Sequence, residues 1–393
     1  MKRTIKDLVN LEGKRVLLRA DFNVPMDNIG RILDRTRIEA EIPTIKYLVD
    51  RGAKVIICSH LGRPKGYDIS LSLWPISLIL LRYFPGKVQF STKTVGDRVK
   101  EQINSMSNGS VLLLENTRFH EGEEKNDPTF VKQLASLADI YVNDAFGVCH
   151  RKHASTYGVA RLLPNAIGFL VEKEIRVIEQ AMQNSQRPFV AIFGGLKVED
   201  KIDVLLNLLD MADTILIGGA MAYPFLVANW ESVGRSPAST ECVKIATEIL
   251  ETAKQKGKTI VLPIDHVAIR YDERKAKTFV TDKLEEDMIG CDIGPKTVEL
   301  FAKYIKSAKQ VIWNGPLGKY EDPKFRTGTF KIIDILSKSD CYSIVGGGDS
   351  VSAVNQSGKA ELINHLSTGG GATIKLLEGH SLVCIDVIQE KIL

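Results

Sequence analysis

Apolar residues along the chain fall in short, dense runs separated by longer mixed stretches. In the first half the runs are residues 15–20 (RVLLRA), 54–58 (KVIIC), 88–90, 111–114 (VLLL) and 140–142. Runs this apolar predict strands covered on both faces, and their alternation with helical stretches predicts a parallel α/β sheet. The second half repeats the plan at 189–193 (FVAIF), 214–217, 259–262, 310–313 and 342–345. Each run is followed closely by Gly, Pro or Asp and then by a helical pattern. Between the halves, Val171, Ile175, Ile178 and Met182 recur at helical spacing with charged residues between them. That spacing predicts one amphipathic helix over 171–184, a connector between two sheets and part of a hinge.

Length agrees with the pattern: 393 residues exceed one ordinary core and fit two domains of similar size. The 52 basic side chains barely outnumber the 48 acidic ones, for a net charge of +4. Nucleic-acid binders show a stronger basic excess, so any anion site here must come from local placement of Arg and Lys. The cysteines at 58, 149, 242, 291, 341 and 384 form no C-x-x-C pair. Neither a zinc site nor a redox pair is signalled, and buried free thiols in a reducing compartment are expected. The first residues lack the apolar core of a signal peptide. The most apolar run, 71–84, contains Pro75 and Arg82 and is too short to span a bilayer. A soluble, cytoplasmic protein is expected.

In open α/β sheets the ligand sits at the carboxyl ends of the strands. Just past the first-half strands stand Asp21 and Asn23, then Arg37; His60 and Arg63; Arg118; and, after Asn143-Asp144, the segment His150-Arg151-Lys152-His153. A guanidinium offers a planar fork of donors suited to carboxylate and phosphate oxygens. Arg37, Arg63, Arg118 and Arg151, converging with His60 on one sheet edge, predict a site for a small polyanion, with Asp21 and Asn23 as acceptors for a hydroxyl. Taken singly, each arginine reads more readily as a solvated surface charge or a helix C-cap partner; the four together at successive strand ends favour the anion site.

Glycine clusters follow the second-half strands at 194–195, 218–219, 346–348 and 369–371. Glycine lets backbone N–H groups approach phosphates or a flat ring. The segment GGGDS, residues 346–350, leads from a strand into a helical pattern, whose N-terminus would present free N–H groups and a positive dipole end to phosphates. Asp349 and Ser350 suit that helix's N-cap, and Asp349 is equally placed to hold a magnesium ion. Lys197 and Lys201 lie four apart and would share a helix face near a phosphate chain. Asn314 opens NGPLG after another strand, and Glu321 is positioned for ribose hydroxyls or for an exposed ion pair. No G-x-x-x-x-G-K-[ST], G-x-G-x-x-G, H-R-D or D-F-G segment occurs, which sets aside a P-loop enzyme, the usual dinucleotide fold and a protein kinase.

These segments resemble the phosphoglycerate kinase family from end to end. The resemblance is carried by RADFNVP (19–25), SHLGRP (59–64), LENTRF (114–119), VNDAFG (142–147), HRKHAST (150–156), KVEDKI (197–202), DIGPKT (292–297), WNGPLG (313–318), GGGDS and STGGGA (367–372), in order. It implies an α/β fold of two Rossmann-like lobes with parallel sheets joined by a hinge helix. The implied divisions are an acid-binding lobe over 1–170, the hinge at 171–185, a nucleotide lobe over 186–375, and a tail from 376 returning to the first lobe. It implies a phosphotransferase acting on a carboxyl acceptor, with 1,3-bisphosphoglycerate and ADP giving 3-phosphoglycerate and ATP, magnesium as cofactor, small-molecule partners only, and a monomer. By the same resemblance Asp21, Asn23, Arg37, His60, Arg63, Arg118 and Arg151 bind 3-phosphoglycerate. Lys197, Lys201, Gly290, Asn314, Glu321, Gly347, Gly348, Asp349 and Ser350 bind nucleotide, Asp349 holds the metal, and Arg37, Lys197, Lys201 and Gly348 serve the transfer itself. The chain departs from the family pattern at Leu196 (usually Ala), Ala220 (usually Gly), Pro224, Lys319-Tyr320 and the tail. Two rival readings stand beside this one: a nicotinamide-dependent dehydrogenase, and a non-catalytic binding protein whose nucleotide pocket Leu196 and Ala220 have closed.

Overall fold

The uninterrupted apolar runs become the inner strands of two parallel sheets. A computed structural model of the chain describes residues 2–27, 29–271 and 277–391. They form two compact units, one up to Arg176 plus the residues from Ser381, the other from Val177 to His380.

The first unit runs β1 (Arg15–Arg19), α1 (Thr36–Asp50), β2 (Lys54–Cys58), α2 (Trp74–Tyr83), β3 (Val88–Phe90), α3 (Asp97–Asn104), β4 (Val111–Leu113), α4 (Pro128–Ala135), β5 (Ile140–Asn143), β6 (Asn165–Ile167) and the start of α5 (Phe169–Gln183). Its strands pair in the order β3-β4-β2-β1-β5-β6, all parallel. Val16, Leu18, Val55, Ile57, Val111, Leu113 and Val142 bury one face of the sheet against Ile38, Ile45 and Leu48 of α1 and Ile76 and Leu80 of α2. Leu17, Ile56, Leu112 and Tyr141 alternate with them, and they too are fully buried, which explains why the runs lack polar breaks. Because β1 lies between β2 and β5, the chain changes direction of winding there, opening a crevice at the carboxyl ends of those strands.

The second unit takes in β7 (Phe189–Phe193), α6 (Ile202–Met211), β8 (Thr214–Ile217), α7 (Ala222–Ala228), α8 (Thr240–Gln255), β9 (Thr259–Val261), β10 (His266–Arg270), β11 (Phe279–Thr281), β12 (Met288–Ile293), α9 (Pro295–Ser307), β13 (Gln310–Asn314), α10 (Thr327–Ser337), β14 (Tyr342–Gly346), α11 (Gly348–Gln356), β15 (His365–Leu366) and α12 (Gly371–Leu377). Its main sheet is parallel, β15-β14-β13-β7-β8-β9. A second sheet, β11-β10-β12, is antiparallel. The apolar runs do not announce it: β10 reads HVAIR, β11 has three residues, and Gly290 interrupts β12.

The helix expected over 171–184 is α5, two residues earlier at its start. The last helix, α13 (Val383–Asp386), belongs to the first unit, where Cys384 N–H donates to Cys149 O at 3.1 Å and Gln389 N–H to Asn165 Oδ1 at 2.8 Å. The cysteines at 58, 149, 242, 291, 341 and 384 are free and buried. No helix among the described residues is long and apolar enough to cross a membrane.

Candidate active site: an arginine cluster and a glycine-walled cavity

At the carboxyl ends of β1, β2, β4 and β5 the first unit gathers its basic side chains. Asp21 follows β1; its Oδ2 accepts from Arg37 Nη1 at 2.7 Å, and its Oδ1 from Asn23 N–H at 3.2 Å. Asn23 Oδ1 in turn accepts Gly62 N–H at 2.9 Å, and Arg118 Nη1 donates to Gly62 O at 2.7 Å, so one loop after β2 is held from two sides. Arg118 also pairs with Glu124 at 3.1 Å. His60 is buried, with Nδ1 3.0 Å from Nη2 of Arg19. A guanidinium only donates, so Nδ1 must accept and the ring proton sits on Nε2.

Arg19, the last residue of β1, is 1% exposed. It also donates Nε to Ser155 Oγ at 2.7 Å and Nη1 to Ala20 O at 2.5 Å, and Ser155 Oγ donates to Glu123 Oε1 at 2.5 Å. The histidines respond to this field. Burial, then Arg19, Arg118, Arg37 and His153, holds His60 well below the ordinary imidazole range. Burial, Arg118, Arg19, Arg151 and His150 lower His153 to about 4. Both rings are therefore neutral near neutral pH and contribute N–H donors instead of additional cations. Arg37, Arg118, Arg151 and His60 thus act on one region. Arg63 stands exposed on the loop after β2, without an ion pair among the described residues. The cluster can hold a small anion with several oxygens, and Asp21 can accept a hydroxyl.

The second unit has a cavity of about 630 Å³ at the carboxyl ends of β7, β8, β13 and β14. Lys197, Lys201, Gly290, Asn314, Glu321, Gly347, Gly348, Asp349 and Ser350 all line it. Helix α11 begins at Gly348 with Gly347 as its N-cap, so its first free N–H groups face this cavity wall. Ser350 Oγ accepts Gly315 N–H at 2.7 Å, tying the loop after β13 to the helix start. Gly315 has φ +92° and a Cβ there would lie 2.2 Å from Gly194 O, so only glycine fits. Gly290 faces Tyr223, whose Oη would be 2.0 Å from any Cβ. Asn314 Nδ2 is buried without a hydrogen-bond partner, a donor left for an acceptor brought in from outside. Lys201 Nζ donates to Gly194 O at 2.5 Å and to Asn314 O at 3.3 Å, which holds its charge beside the same loops.

Three details differ from the sequence reading. Lys197 precedes a 3₁₀ turn, Glu199–Lys201, and α6 starts only at Ile202, so the two lysines do not share an α-helical face. They meet at one cavity because the segment turns around it. Gly347, not Asp349 or Ser350, caps α11. Leu196 and Ala220 line the cavity without closing it, and Leu196 is 75% exposed. Arg19, Glu123, Ser155 and Tyr223 escaped the sequence reading. Only Arg19 carried a signal, as a charge ending an otherwise apolar strand.

A family model described as phosphoglycerate kinase matches residues 5–380. The chain is 49% identical to the phosphoglycerate kinase of Finegoldia magna over 395 aligned residues, covering 99% of this chain and all of the relative. It is 48% identical to that of Dictyoglomus turgidum, with 99% of this chain and all of that one covered. Among solved structures, phosphoglycerate kinase from Coxiella burnetii superposes with a TM-score of 0.85 at 35% identity over 99% of both chains. The Pyrococcus horikoshii enzyme gives 0.86 at 32% identity over 98% of both. The chain belongs to the phosphoglycerate kinase family.

Proposed function

We propose that this chain is the phosphoglycerate kinase of glycolysis, transferring a phosphoryl group reversibly from 1,3-bisphosphoglycerate to ADP to give 3-phosphoglycerate and ATP. The observation that carries the reading is a division of labour. One unit offers a fork-shaped arginine cluster with hydroxyl acceptors, and the other a glycine-walled cavity with a helix N-terminus, two lysines and an unpartnered amide donor. The first suits a short phosphorylated acid, the second a nucleotide's phosphate chain and base.

An acyl phosphate is already a reactive donor, so the site must position and neutralise more than it must abstract protons. In our reading Arg118, Arg151, Arg63 and His60 Nε2–H hold the acid's phosphate and carboxyl oxygens, and Asp21 and Asn23 its hydroxyl. Arg37, Lys197, Lys201 and the N–H groups at Gly348 stabilise charge on the transferred group. Glu321 accepts from the ribose, and Gly290, with Tyr223 packed against it, forms part of the wall beside the base. Asp349 fits a magnesium ligand: it is exposed on the cavity wall in the first turn of α11 and has no ion pair among the described residues. Magnesium held there would neutralise charge on the nucleotide phosphates. Small molecules are the only partners this reading needs, and the buried free thiols support a reducing, cytoplasmic setting.

In-line transfer requires the acid's and the nucleotide's reacting oxygens to meet with water excluded, so we infer closure about α5 and its flanks. Small-angle scattering should give the mass of one chain, and a smaller radius of gyration with both ligands present. An unchanged radius would count against closure. The activity itself is tested with 3-phosphoglycerate and MgATP, coupling acyl phosphate to NADH oxidation by glyceraldehyde-phosphate dehydrogenase. Arg37→Ala should lower turnover by roughly 10²–10³ with a smaller change in KM, and Asp349→Ala should abolish turnover. Full activity in either variant would remove that residue from the mechanism, and no turnover in the folded wild type would favour a binding protein.

A further inference from the structure

Glu41 on α1 and Asp144, directly after β5, are both fully buried. Glu41 Oε1 accepts the backbone N–H of Asp21 at 2.8 Å, and Asp144 Oδ1 accepts that of Val171 at 3.0 Å. Their other oxygens, Glu41 Oε2 and Asp144 Oδ2, are buried and meet no donor, and the charge of Asp144 acts directly on Glu41. Ionised carboxylates only accept, so two of them with donorless buried oxygens would be uncompensated charges, and a proton on one supplies the missing donor. Nor is there slack around them, since a Cβ on Gly168 would lie 2.3 Å from the Asp144 carboxyl.

Helix α1 explains what the pair connects. Arg37, Glu41 and Thr44 fall at i, i+4 and i+7, on one face. Arg37 grips Asp21. Thr44 Oγ1 accepts the N–H of Phe169, the first residue of α5, two residues before Val171, whose N–H Asp144 accepts. We propose that Glu41 and Asp144 share a single proton, and that the pair is a positioning device holding Asp21 and Arg37 in register with the first turn of α5. Its effect on catalysis rests on the reading that this cluster binds 3-phosphoglycerate.

Burial first, then the charges of Asp144 and Asp21, keeps Glu41 well above the ordinary carboxylate range. Burial lifts Asp144 to about 6, against the opposing influence of Thr44, Val171, Glu41 and Leu170. The groups facing the pair are Asp21 with its partner Arg37, the hydroxyl of Thr44, the thiol of Cys149 and the N–H groups opening α5. Acids raised in the folded state bind more protons there than in the unfolded chain. Their stabilisation is complete below the unfolded carboxylate pKa and is lost as pH rises through the folded values. Once the shared proton leaves, two carboxylates repel in apolar surroundings, and separating them releases Asp21.

Glu41→Gln tests this, because its amide donates to Asp144, still accepts from Asp21, and has no proton to lose. We would measure denaturant midpoints and the KM for 3-phosphoglycerate from about pH 5 to about pH 9. Wild type should lose midpoint, and its KM should rise about threefold or more, toward alkaline pH; Glu41→Gln should be flat in both. Glu41→Ala leaves Asp21 N–H and Asp144 unpartnered and should raise KM about tenfold at every pH. Should that variant not fold, Asp144→Asn replaces it, donating its amide to an ionised Glu41 and flattening the same slopes. A wild-type slope in Glu41→Gln or Asp144→Asn overturns the proposal. Absence of turnover in wild type strikes the kinase reading alone, since the unfolding arm needs no substrate and decides the pair by itself.

Discussion

His60 is buried among arginines, and its neutrality is what makes the cluster workable. Another buried cation beside Arg19, Arg37 and Arg118 would add repulsion and desolvation cost, and its extra Nδ1–H would face the Arg19 guanidinium, itself a donor. A neutral ring fixed by Arg19 supplies one N–H and no charge. Leu196 poses the opposite question, of what an apolar side chain does in a polar wall. It touches the cavity, yet three quarters of it is exposed, so little of its surface is available to press on a bound base. Truncating it removes few buried contacts. Leu196→Ala should therefore change the KM for ATP by less than about threefold. Steady-state kinetics with MgATP varied at saturating 3-phosphoglycerate check this, and a tenfold fall in KM would identify Leu196 as an obstruction.

At the scale of elements, legibility followed burial. β1, β2, β4, β7, β8, β13 and β14 announced themselves because strands covered on both faces carry no polar alternation. Once those strands were placed, the rule that ligands collect at their carboxyl ends located Asp21, His60, Arg118, Asn314 and Asp349 without further structural knowledge. The antiparallel β11-β10-β12 sheet stays hidden because β10 and β11 are only partly buried, β11 has three residues, and Gly290 breaks the apolar run of the buried β12. Residues whose roles depend on partners far along the chain were also illegible. Glu123 needs Ser155, Tyr223 needs Gly290, and Glu41 needs Asp144, none of which spacing can reveal. Spacing pairs Lys197 with Lys201 on a helix, but the helix that would align them starts after both, and a turn brings them together instead.

At the scale of the molecule, the first unit is closed by the two distant ends of the chain. Arg3 N–H donates to Gln389 O at 2.8 Å, Lys2 pairs with Glu390 at 2.9 Å, and Lys391 with Asp7 at 2.8 Å. These ion pairs are partly exposed and contribute little. The weight lies with Leu382, Cys384, Ile385 and Ile388, all buried in that unit. At about 1.5–3 kcal/mol per large apolar side chain, with compact unfolded states reducing the figure, their loss approaches the lower end of ordinary domain stability. Cys384 also covers Cys149, immediately before His150 and Arg151 of the anion cluster. A chain ending at His380 should therefore lose stability in one unit only. Hydrogen exchange should show protection falling across β1, β2 and β5 while β7, β13 and β14 keep theirs. Calorimetry should find ATP binding retained and 3-phosphoglycerate binding weakened or lost. Equal loss of protection in both parallel sheets would mean that the tail stabilises the whole chain, and that the two units do not unfold independently of each other.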